Sequence, residues 1–333
     1  MEKGIAIAGN IIVDLIKRVD GFPKRGNLEK IHSMSRSAGG CVVNTLIDLR
    51  RIDPEMKLLA IGCVGNDDNG RFACDVMREN DLDTDLVIFS ENQPTSFSDV
   101  ITEPDGFRTF FNLTGAGDEL DFDMISKMDI DADIFHLGYA LLLGGMDAPD
   151  DEYGTVMART LAEIHHRGIK TSMDIVSSPC DRAQEIILAS AKQCDYFIVN
   201  EVELEMATGL PVRGSDDSIN EDVIRTACEK MLDHGVREWV IIHAPEGAWA
   251  MDSSRNFTSC PSFNLPEGYI KGAVGAGDAF CAGALYGLYN NWEIGRTLAF
   301  SCGSAAACLS EANSIDGMRS MTEIEKLMDE LSR

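Results

Sequence analysis

Basic residues are scarce in this sequence. Its 333 residues include 29 Lys and Arg but 55 Asp and Glu, which gives a net charge of −26. A protein that binds a phosphate backbone needs clustered Lys and Arg. No such cluster is present, so the composition argues against nucleic acids and anionic membranes as partners. A single nucleotide stays compatible, because Mg²⁺ and a helix N-terminus can supply positive potential locally.

Metal-binding and disulfide motifs are also missing. The ten cysteines contain no CxxC pair, and the six histidines show no HExxH or HxH spacing. Several cysteines lie inside apolar runs, where Cys behaves as a small hydrophobic residue. We therefore expect a reducing, cytoplasmic environment and no metal cluster. We interpret His136 as a residue at the edge of the core rather than as a ligand.

No apolar run is long enough to cross a membrane. The longest uncharged stretch, residues 297–310, is shorter than the about 20 residues that a bilayer requires. The apolar N-terminal run is interrupted by Asp14, and no small-residue cleavage site follows. We interpret that run as a buried strand rather than a signal sequence, and we expect a soluble protein.

No repeat or low-complexity linker divides the chain, so we expect one domain over residues 1–333. Buried-strand patterns alternate with amphipathic helical patterns, which is typical of a doubly wound α/β fold with a mostly parallel sheet covered by helices on both faces. The strand patterns cover residues 5–16, 58–64, 134–137, 171–175, 196–199 and 239–243. The helical patterns cover residues 42–52, 70–80, 153–167, 182–193, 221–235, 279–289, 293–309 and 322–331.

Two polar segments, residues 22–37 and 95–112, interrupt this alternation. The second contains Asp105-Gly106, a hairpin turn signal between two alternating stretches. We expect a small sheet formed from about residues 17–37 and 95–113. It could act as a β lid, a dimer contact or both, and two ordinary surface hairpins are the alternative.

The most informative motif is Gly275-Ala276-Gly277-Asp278, which opens directly into an apolar helix. Free N–H groups and the dipole at a helix start form an anion site. A carboxylate there would repel a resting phosphate, so Asp278 is better suited to taking a proton while charge develops at the site. This combination suggests phosphoryl transfer to an alcohol. The alternative is a loop in which Asp278 is only an N-cap. The same four letters recur at residues 115–118, where an acidic continuation predicts a loop.

Three weaker signals accompany this motif. Asn10 and Asp14 lie within and after the first apolar run, where Asp14 could accept hydrogen bonds from a polyol or merely end the strand. Gly39 and Gly40 allow close backbone approach, and Asn44 can donate and accept toward hydroxyls. A glycine-rich turn before a helix explains them equally well.

The pair Asn200 and Glu203 follows another strand pattern. Asn at the N-cap with Glu three residues later is a capping box. The functional alternative has Glu203 ordering Mg²⁺-bound water while Asn200 faces phosphate oxygens, because Mg²⁺ keeps several waters and needs few protein carboxylates.

The order of these motifs resembles the ribokinase-like (PfkB) carbohydrate kinases along nearly the whole chain. The resemblance rests on Gly9-Asn10…Asp14, Gly39-Gly40…Asn44, Gly62-Cys-Val-Gly65-Asn-Asp67…Gly70, Asn200-x-x-Glu203 and Gly275-Ala-Gly-Asp278. It implies a doubly wound α/β domain with a small β lid. It also implies MgATP-dependent phosphorylation of a hydroxyl on a small-molecule sugar or nucleoside, with fructose- or ribose-like sugars as the first candidates.

The resemblance also implies a role for each matching residue. Asp278 would be the catalytic base, and the backbone amides of Gly275, Ala276 and Gly277 would form the anion hole. Asn200 and Glu203 would organise the phosphates and Mg²⁺, and His243 and Gly247 would line the nucleotide pocket. The acceptor would be bound by Asn10, Asp14, Gly39, Gly40 and Asn44, with Arg108 reaching it from the lid or lying solvated at the surface.

The chain departs from the family pattern in two places. Gly272-Ala273-Val274 replaces the usual Asp-Thr-x before the last motif, which places K⁺ activation in doubt. Val42 and Leu46 replace smaller residues in the Gly39-Gly40 motif, so the acceptor's identity does not carry over.

Three alternative functions follow from these observations. A nucleoside kinase would need an aromatic slot for the base, for which Phe97, Phe107, Phe110 and Phe111 are candidates. A non-catalytic sugar- or nucleotide-binding protein on the same fold is the second. A dinucleotide-dependent oxidoreductase is rejected, because no GxGxxG follows the first strand pattern.

Overall fold

The computed structural model describes residues 3–104, 107–178 and 180–331. The predicted turn at Asp105-Gly106 lies outside the described residues. The described residues form fifteen strands in chain order: β1 Ile5–Ala8, β2 Ile12–Arg18, β3 Ser33–Gly39, β4 Leu58–Gly65, β5 Val87–Ser90, β6 Phe97–Thr102, β7 Arg108–Leu113, β8 Ile134–Ala140, β9 Pro149–Asp150, β10 Gly154–Thr155, β11 Lys170–Ile175, β12 Tyr196–Asn200, β13 Trp239–Ala244, β14 Gly247–Asp252 and β15 Phe257–Pro261.

In the part of the chain that the structure describes, eleven α-helices connect these strands. They are α1 Cys41–Ile52, α2 Asp68–Glu79, α3 Phe122–Ser126, α4 Gly144–Asp147, α5 Val156–His166, α6 Ala183–Ala191, α7 Glu201–Thr208, α8 Glu221–His234, α9 Ala276–Tyr289, α10 Ile294–Leu309 and α11 Met321–Glu330. All eight predicted helices are present within three residues of the expected ends. The short helices α3, α4 and α7 were not predicted.

The main sheet has nine strands in the order β15-β14-β13-β12-β11-β8-β1-β4-β5. Strands β13 to β5 in this order pair in parallel, whereas β14 and β15 add an antiparallel edge. The chain order reverses beside β1, whose neighbours are β4 and β8. Ligands in open α/β sheets bind beyond the carboxyl ends of the strands at such a reversal. The predicted doubly wound fold is confirmed, and its topology indicates where the site lies.

Two buried apolar clusters cover the faces of the main sheet, and one of them contains α1, α9 and α10. The α9–α10 contact is close because α9 is rich in small residues. A Cβ on Gly283 would lie 2.8 Å from the Ser301 Cα, and a Cβ on Gly287 would lie 2.6 Å from the Thr297 hydroxyl. This tight packing holds α9, whose first turn carries Asp278, against α10.

The expectation of one continuous first strand is wrong. Ile5–Ala8 belongs to the main sheet, and Ile12–Arg18 belongs to a separate sheet. The chain turns between them at Gly9, which has a φ of 140°. A Cβ there would lie 2.6 Å from the Gly138 carbonyl oxygen, so only glycine permits the crossing. Asp14 therefore lies on β2 in the second sheet.

That second sheet, here called the small sheet, has four strands in the order β3-β2-β6-β7. Strand β2 pairs antiparallel with β3 and parallel with β6, and β6 pairs antiparallel with β7. The predicted small sheet is present, but it begins at Ile12 rather than near residue 17. Met34, Phe110 and Phe111 lie exposed on it.

Two further expectations need correction. The second Gly-Ala-Gly-Asp copy is a short 3₁₀ helix, Gly115–Glu119, rather than a loop. Its Asp118 accepts a hydrogen bond from the Gly144 amide at 2.7 Å, which gives the copy a structural role. His136 is fully buried rather than at the core edge. Within the described residues, no helix has the length and apolar character needed to cross a bilayer.

Candidate active site

Asp278 lies in the first turn of α9 and is only 5% exposed. Gly275 precedes the helix with a φ of 83°, and a Cβ on it would lie 2.5 Å from the Ser314 Cβ. The first amides of a helix have no partners within the helix. The Ala276 amide is partly engaged, because it donates to the Ala273 carbonyl at 3.4 Å. An anion at this helix start would compete for that amide.

Two side chains donate hydrogen bonds to the Asp278 carboxylate. The Asn44 Nδ2 lies 2.8 Å from Oδ2, and the Tyr139 hydroxyl lies 3.0 Å from each carboxylate oxygen. Burial raises the pKa of Asp278 to about 6, with nearby Asp174 adding to the rise and the Asn44 and Tyr139 hydrogen bonds opposing it. A carboxylate with this pKa is ionised at neutral pH and can still accept a proton, which is what a general base needs.

The predicted acceptor residues Asp14, Gly39 and Asn44 lie together beside Asp278. A Cβ on Gly39 would lie 3.8 Å from both the Asp14 Oδ2 and the Asn44 Oδ1. Asn44 links two parts of the site, because its Oδ1 also accepts a hydrogen bond from Ser314 at 2.9 Å. Burial raises the pKa of Asp14 to about 6, and the charge of Arg108 opposes this rise.

Asn10 and Gly40 lie beneath this group. Asn10 is fully buried, and its Nδ2 donates to the Leu142 carbonyl at 3.0 Å. Gly40 has a φ of 86°, and a Cβ there would lie 2.4 Å from the Asn10 carbonyl oxygen. Both residues determine the course of the backbone that forms the bottom of the site. Arg108 reaches across from the small sheet and donates to the Ala312 carbonyl at 3.3 Å.

A cavity of about 450 Å³ lies on the other side of the α9 N-terminus and has a mostly apolar lining. His243 lines it and stacks on Phe280 with the ring centroids 4.6 Å apart. Burial lowers the pKa of His243 to about 4, so the imidazole is neutral at pH 7. The predicted residues Gly247, Asn200, Ala276 and Gly277 line the same cavity. Its shape and chemistry suit an aromatic base.

A second cavity of about 280 Å³ lies beside the first and reaches Asp278. It is lined by Asp278, Gly275, Tyr139, Asp174 and Glu203, and it shares Asn200, His243 and Gly277 with the first cavity. The predicted catalytic and nucleotide residues therefore line two adjacent cavities.

Asn200 and Glu203 form a complete capping box. The Glu203 amide donates to the Asn200 Oδ1, and the Asn200 amide donates to the Glu203 Oε2, each at 2.9 Å. Ser177 donates to the Glu203 Oε1 at 3.1 Å. Burial raises the pKa of Glu203 to about 8. The carboxylates of Glu203 and Asp174 line one cavity and provide the oxygen donors that Mg²⁺ prefers. Because both Glu203 oxygens already accept hydrogen bonds, contact with the metal through water fits better than direct ligation.

Sequence reasoning missed Tyr139, Asp174 and Ser314. Tyr139 and Asp174 lie near the carboxyl ends of the parallel strands β8 and β11. The rule that places ligands at such ends could have identified Asp174, a carboxylate next to the last residue of a predicted strand. Ser314 lies in a loop after α10, and no local pattern marks it.

The family model for the pfkB family of carbohydrate kinases matches residues 2–321. The chain belongs to the PfkB family of carbohydrate kinases. The predicted family and enzyme class are thereby confirmed. A 5-dehydro-2-deoxygluconokinase of Geobacillus kaustophilus is 24% identical over 91% of this chain and 88% of its own length. The probable fructokinase-7 of Arabidopsis thaliana is 23% identical over 98% of this chain and 93% of its own.

Solved structures agree on the fold of this PfkB kinase. An Arabidopsis thaliana ribokinase, determined with ribose and ATP, has a TM-score of 0.79 at 18% identity and covers 98% of this chain and 99% of its own. A ribokinase of Thermotoga maritima has a TM-score of 0.75 at 20% identity, over 98% and 99% of the two chains.

Proposed function

We propose that this kinase transfers the γ-phosphoryl group of ATP to a hydroxyl of a fructose- or ribose-like sugar, with Asp278 as the general base. The position of Asp278 carries the proposal. It lies at the junction between an apolar cavity that suits a nucleotide base and the polar group formed by Asp14, Gly39 and Asn44. A base at this junction can meet both an acceptor hydroxyl and a terminal phosphate.

In the proposed reaction, the acceptor hydroxyl replaces the Tyr139 hydroxyl at Asp278 and gives its proton to the carboxylate. The oxygen then attacks the γ-phosphorus in line as the bond to the leaving ADP oxygen breaks. The amides of Gly275, Ala276 and Gly277 stabilise the charge that develops on the phosphoryl oxygens. The sugar is held by Asp14 and Asn44, with Asn10, Gly39 and Gly40 shaping the backbone beneath it and Arg108 closing the site.

Asn200, His243 and Gly247 line the nucleotide region in this proposal, and neutral His243 offers a stacked ring without adding charge. Mg²⁺ bound through water to Glu203 would neutralise charge on the transferring phosphates. K⁺ activation is not part of the proposal, because Gly272-Ala273-Val274 supplies no side-chain carboxylate.

The small sheet favours a sugar over a nucleoside acceptor. Paired residues of neighbouring strands lie on the same face, and alternate residues along a strand lie on opposite faces. By register, Phe110 shares a face with Asp14 and Arg108, whereas Phe97 and Phe111 lie on the other face. Phe107 precedes the strand. The strands thus offer one phenylalanine on the acceptor side, which supports a sugar more than a nucleoside base. The exposed face of the small sheet that lies away from Asp14 supports two further proposals. These are that the small sheet acts as a lid and that it forms a homodimer contact.

The test is MgATP-dependent ADP release over a panel of ketoses, aldoses, sugar acids and nucleosides, with and without K⁺. Turnover with one sugar that is lost in Asp278→Asn would support the proposal. Turnover with nucleosides alone would make the protein a nucleoside kinase, and tight binding without turnover would make it a binding protein on this fold.

A further inference from the structure

Three buried side chains with metal-binding donor atoms lie together near Asp278. They are His136 on β8, Asp174 on β11 and Cys281 on α9, and one donor atom from each lies within 4.8 Å of the others. The exposed fractions are 0% for His136, 9% for Asp174 and 2% for Cys281. A nitrogen, an oxygen and a sulfur donor are thus placed together from three separate elements.

The spacing of these atoms matches a tetrahedral metal site. The His136 Nε2 lies 3.4 Å from the Asp174 Oδ2 and 3.8 Å from the Cys281 Sγ. Zinc bonds of about 2.0 Å to nitrogen, 2.1 Å to oxygen and 2.3 Å to sulfur at tetrahedral angles give separations of roughly 3.4 Å and 3.6 Å. These two separations agree with a shared ion, and the donor atoms of the third pair, Asp174 and Cys281, lie within 4.8 Å of each other.

The surroundings also suit a metal. The other ring nitrogen of His136, Nδ1, lies 3.0 Å from the Ser172 hydroxyl, which orients the ring as a second contact does for metal-bound histidines. The Asp174 Oδ1 accepts the Tyr139 amide at 2.6 Å, which leaves Oδ2 directed at His136. Asp174 and Cys281 line the 280 Å³ cavity, which provides an entry route and space for a fourth ligand.

We propose that His136, Asp174 and Cys281 bind Zn²⁺ and that the bound ion inhibits phosphoryl transfer. Zinc accepts this mixed nitrogen, oxygen and thiolate set, whereas Mg²⁺ prefers oxygen ligands alone. Binding breaks the S–H bond of Cys281, whose proton passes to solvent as the sulfur–metal bond forms. Because the thiol must lose its proton to bind the metal, zinc affinity increases with pH.

The proposal that the bound ion inhibits phosphoryl transfer rests on the proposed function. Two structural links connect the ligands of the ion to Asp278. Cys281 lies one helical turn after Asp278 on α9. Asp174 holds the amide of Tyr139, whose hydroxyl contacts Asp278. A divalent cation bound by Cys281 and Asp174 lowers the pKa of the nearby Asp278 carboxyl group. The carboxylate is then a weaker base. The bound ion also engages Asp174, which lines the cavity between the nucleotide region and Asp278.

The binding test uses Co²⁺ as a spectroscopic substitute for Zn²⁺. The starting protein carries Cys180→Ser, because Cys180 is the one exposed thiol among the ten cysteines. We expect one equivalent of Co²⁺ to give the visible bands of a four-coordinate ion and a sulfur-to-cobalt charge-transfer band. Zn²⁺ should displace it.

Two substitutions in the Cys180→Ser background decide the assignment. Cys281→Ser should remove the charge-transfer band, and Cys228→Ala, a buried cysteine on α8, should leave it unchanged. Asp174→Asn should weaken Co²⁺ binding at least tenfold, and circular dichroism verifies that each variant is folded. A spectrum without the band, or a band that persists in Cys281→Ser, would overturn the site.

The activity test is separate. Micromolar Zn²⁺ at saturating MgATP should lower turnover of the Cys180→Ser protein at least fivefold, with recovery after a zinc-selective chelator. Full turnover with the Co²⁺ or Zn²⁺ site loaded would overturn the inhibition. If the site binds Co²⁺ as expected and no acceptor is phosphorylated, the proposed function fails while the metal site stands.

Discussion

The hydroxyl of Tyr139 lies 3.0 Å from both carboxylate oxygens of Asp278. Burial raises the pKa of Tyr139 well above its ordinary value, so the hydroxyl stays protonated and donates to the carboxylate. Tyr139 also has a φ of 62°, which is uncommon for a residue other than glycine. The tyrosine therefore occupies the place that an acceptor hydroxyl needs, in a backbone conformation that the surrounding structure must hold.

Tyr139→Phe should raise the pKa of Asp278, because it removes a hydrogen bond that favours the charged carboxylate. A hydrogen bond to a charged group contributes roughly 1.5–3 kcal/mol, so the acidic limb of the kcat/KM profile should move upward by about one to two pH units. A pH–rate profile of both proteins measures the shift. A limb that moves downward would show that Tyr139 does not stabilise the ionised base.

Asp278→Asn should lower turnover about 10²- to 10⁴-fold, because it removes the proton acceptor. Binding of ATP should change little, because the first-turn amides and the apolar cavity remain. The matched control is Asp118→Asn, in the second Gly-Ala-Gly-Asp copy, where the carboxylate accepts the Gly144 amide instead of facing a cavity. ADP-release assays and calorimetric ATP titrations measure the two effects. Equal losses in both variants would show that Asp278 has no special role.

The same substitution should alter the pH dependence of stability. The pKa of Asp278 is about 6 in the folded protein against an ordinary 3.8, so the folded state binds this proton more tightly than the unfolded state does. The charged carboxylate thus destabilises the fold as pH rises, by up to about 3 kcal/mol above pH 6. Asp278→Asn should therefore gain stability relative to the native protein between about pH 4 and pH 7 and then level off. Denaturant titrations across this range measure the difference, and a constant difference would contradict the buried charge.

How much of the site was predictable depends on where each residue lies. The start of α9 was predictable because Gly275, Ala276 and Gly277 precede an apolar run, and both the turn and the helix are local properties. The break at Gly9 was not, because the alternating apolar pattern continues through it. The requirement for glycine there comes from the Gly138 carbonyl, 129 positions later in the sequence.

The contacts around Asp278, the proposed general base, were also not predictable from the local sequence. Tyr139 and Asp174 are each unremarkable near the end of an apolar strand pattern, and only the parallel pairing of β8 with β11 places them beside Asp278. His136 and Cys281 have no metal-like spacing because their separation in sequence is 145 residues. A site whose residues come from separate strands of a parallel sheet leaves little local pattern in the sequence.

The homodimer proposal concerns the face of the small sheet away from Asp14. Met34, Phe111 and Leu113 are exposed there, at 69%, 59% and 41%. If two copies pair through this face, Phe111→Ser should weaken the dimer at least tenfold, because it removes an apolar ring from the contact. Phe89→Ser, at an exposed phenylalanine on β5, is the control. Sedimentation velocity measures the change, and a native protein that stays monomeric would contradict the proposal.

Substitution of Glu203 can distinguish a structural role in the capping box from a functional role in ordering Mg²⁺-bound water. Its Oε2 accepts the Asn200 amide in the capping box, and glutamine can keep this hydrogen bond through its carbonyl oxygen. Glu203→Gln should therefore keep the capping hydrogen bond of α7, while it removes the carboxyl group that would ionise when Mg²⁺ binds. If the carboxylate orders Mg²⁺-bound water, the Mg²⁺ concentration for half-maximal turnover should rise about tenfold.

The matched control is Glu323→Gln in the exposed capping box of α11, where Ser320 is the partner. Because that box lies far from the cavity, its substitution should leave the Mg²⁺ dependence unchanged. An unaltered Mg²⁺ dependence in Glu203→Gln would assign Glu203 to the capping box alone.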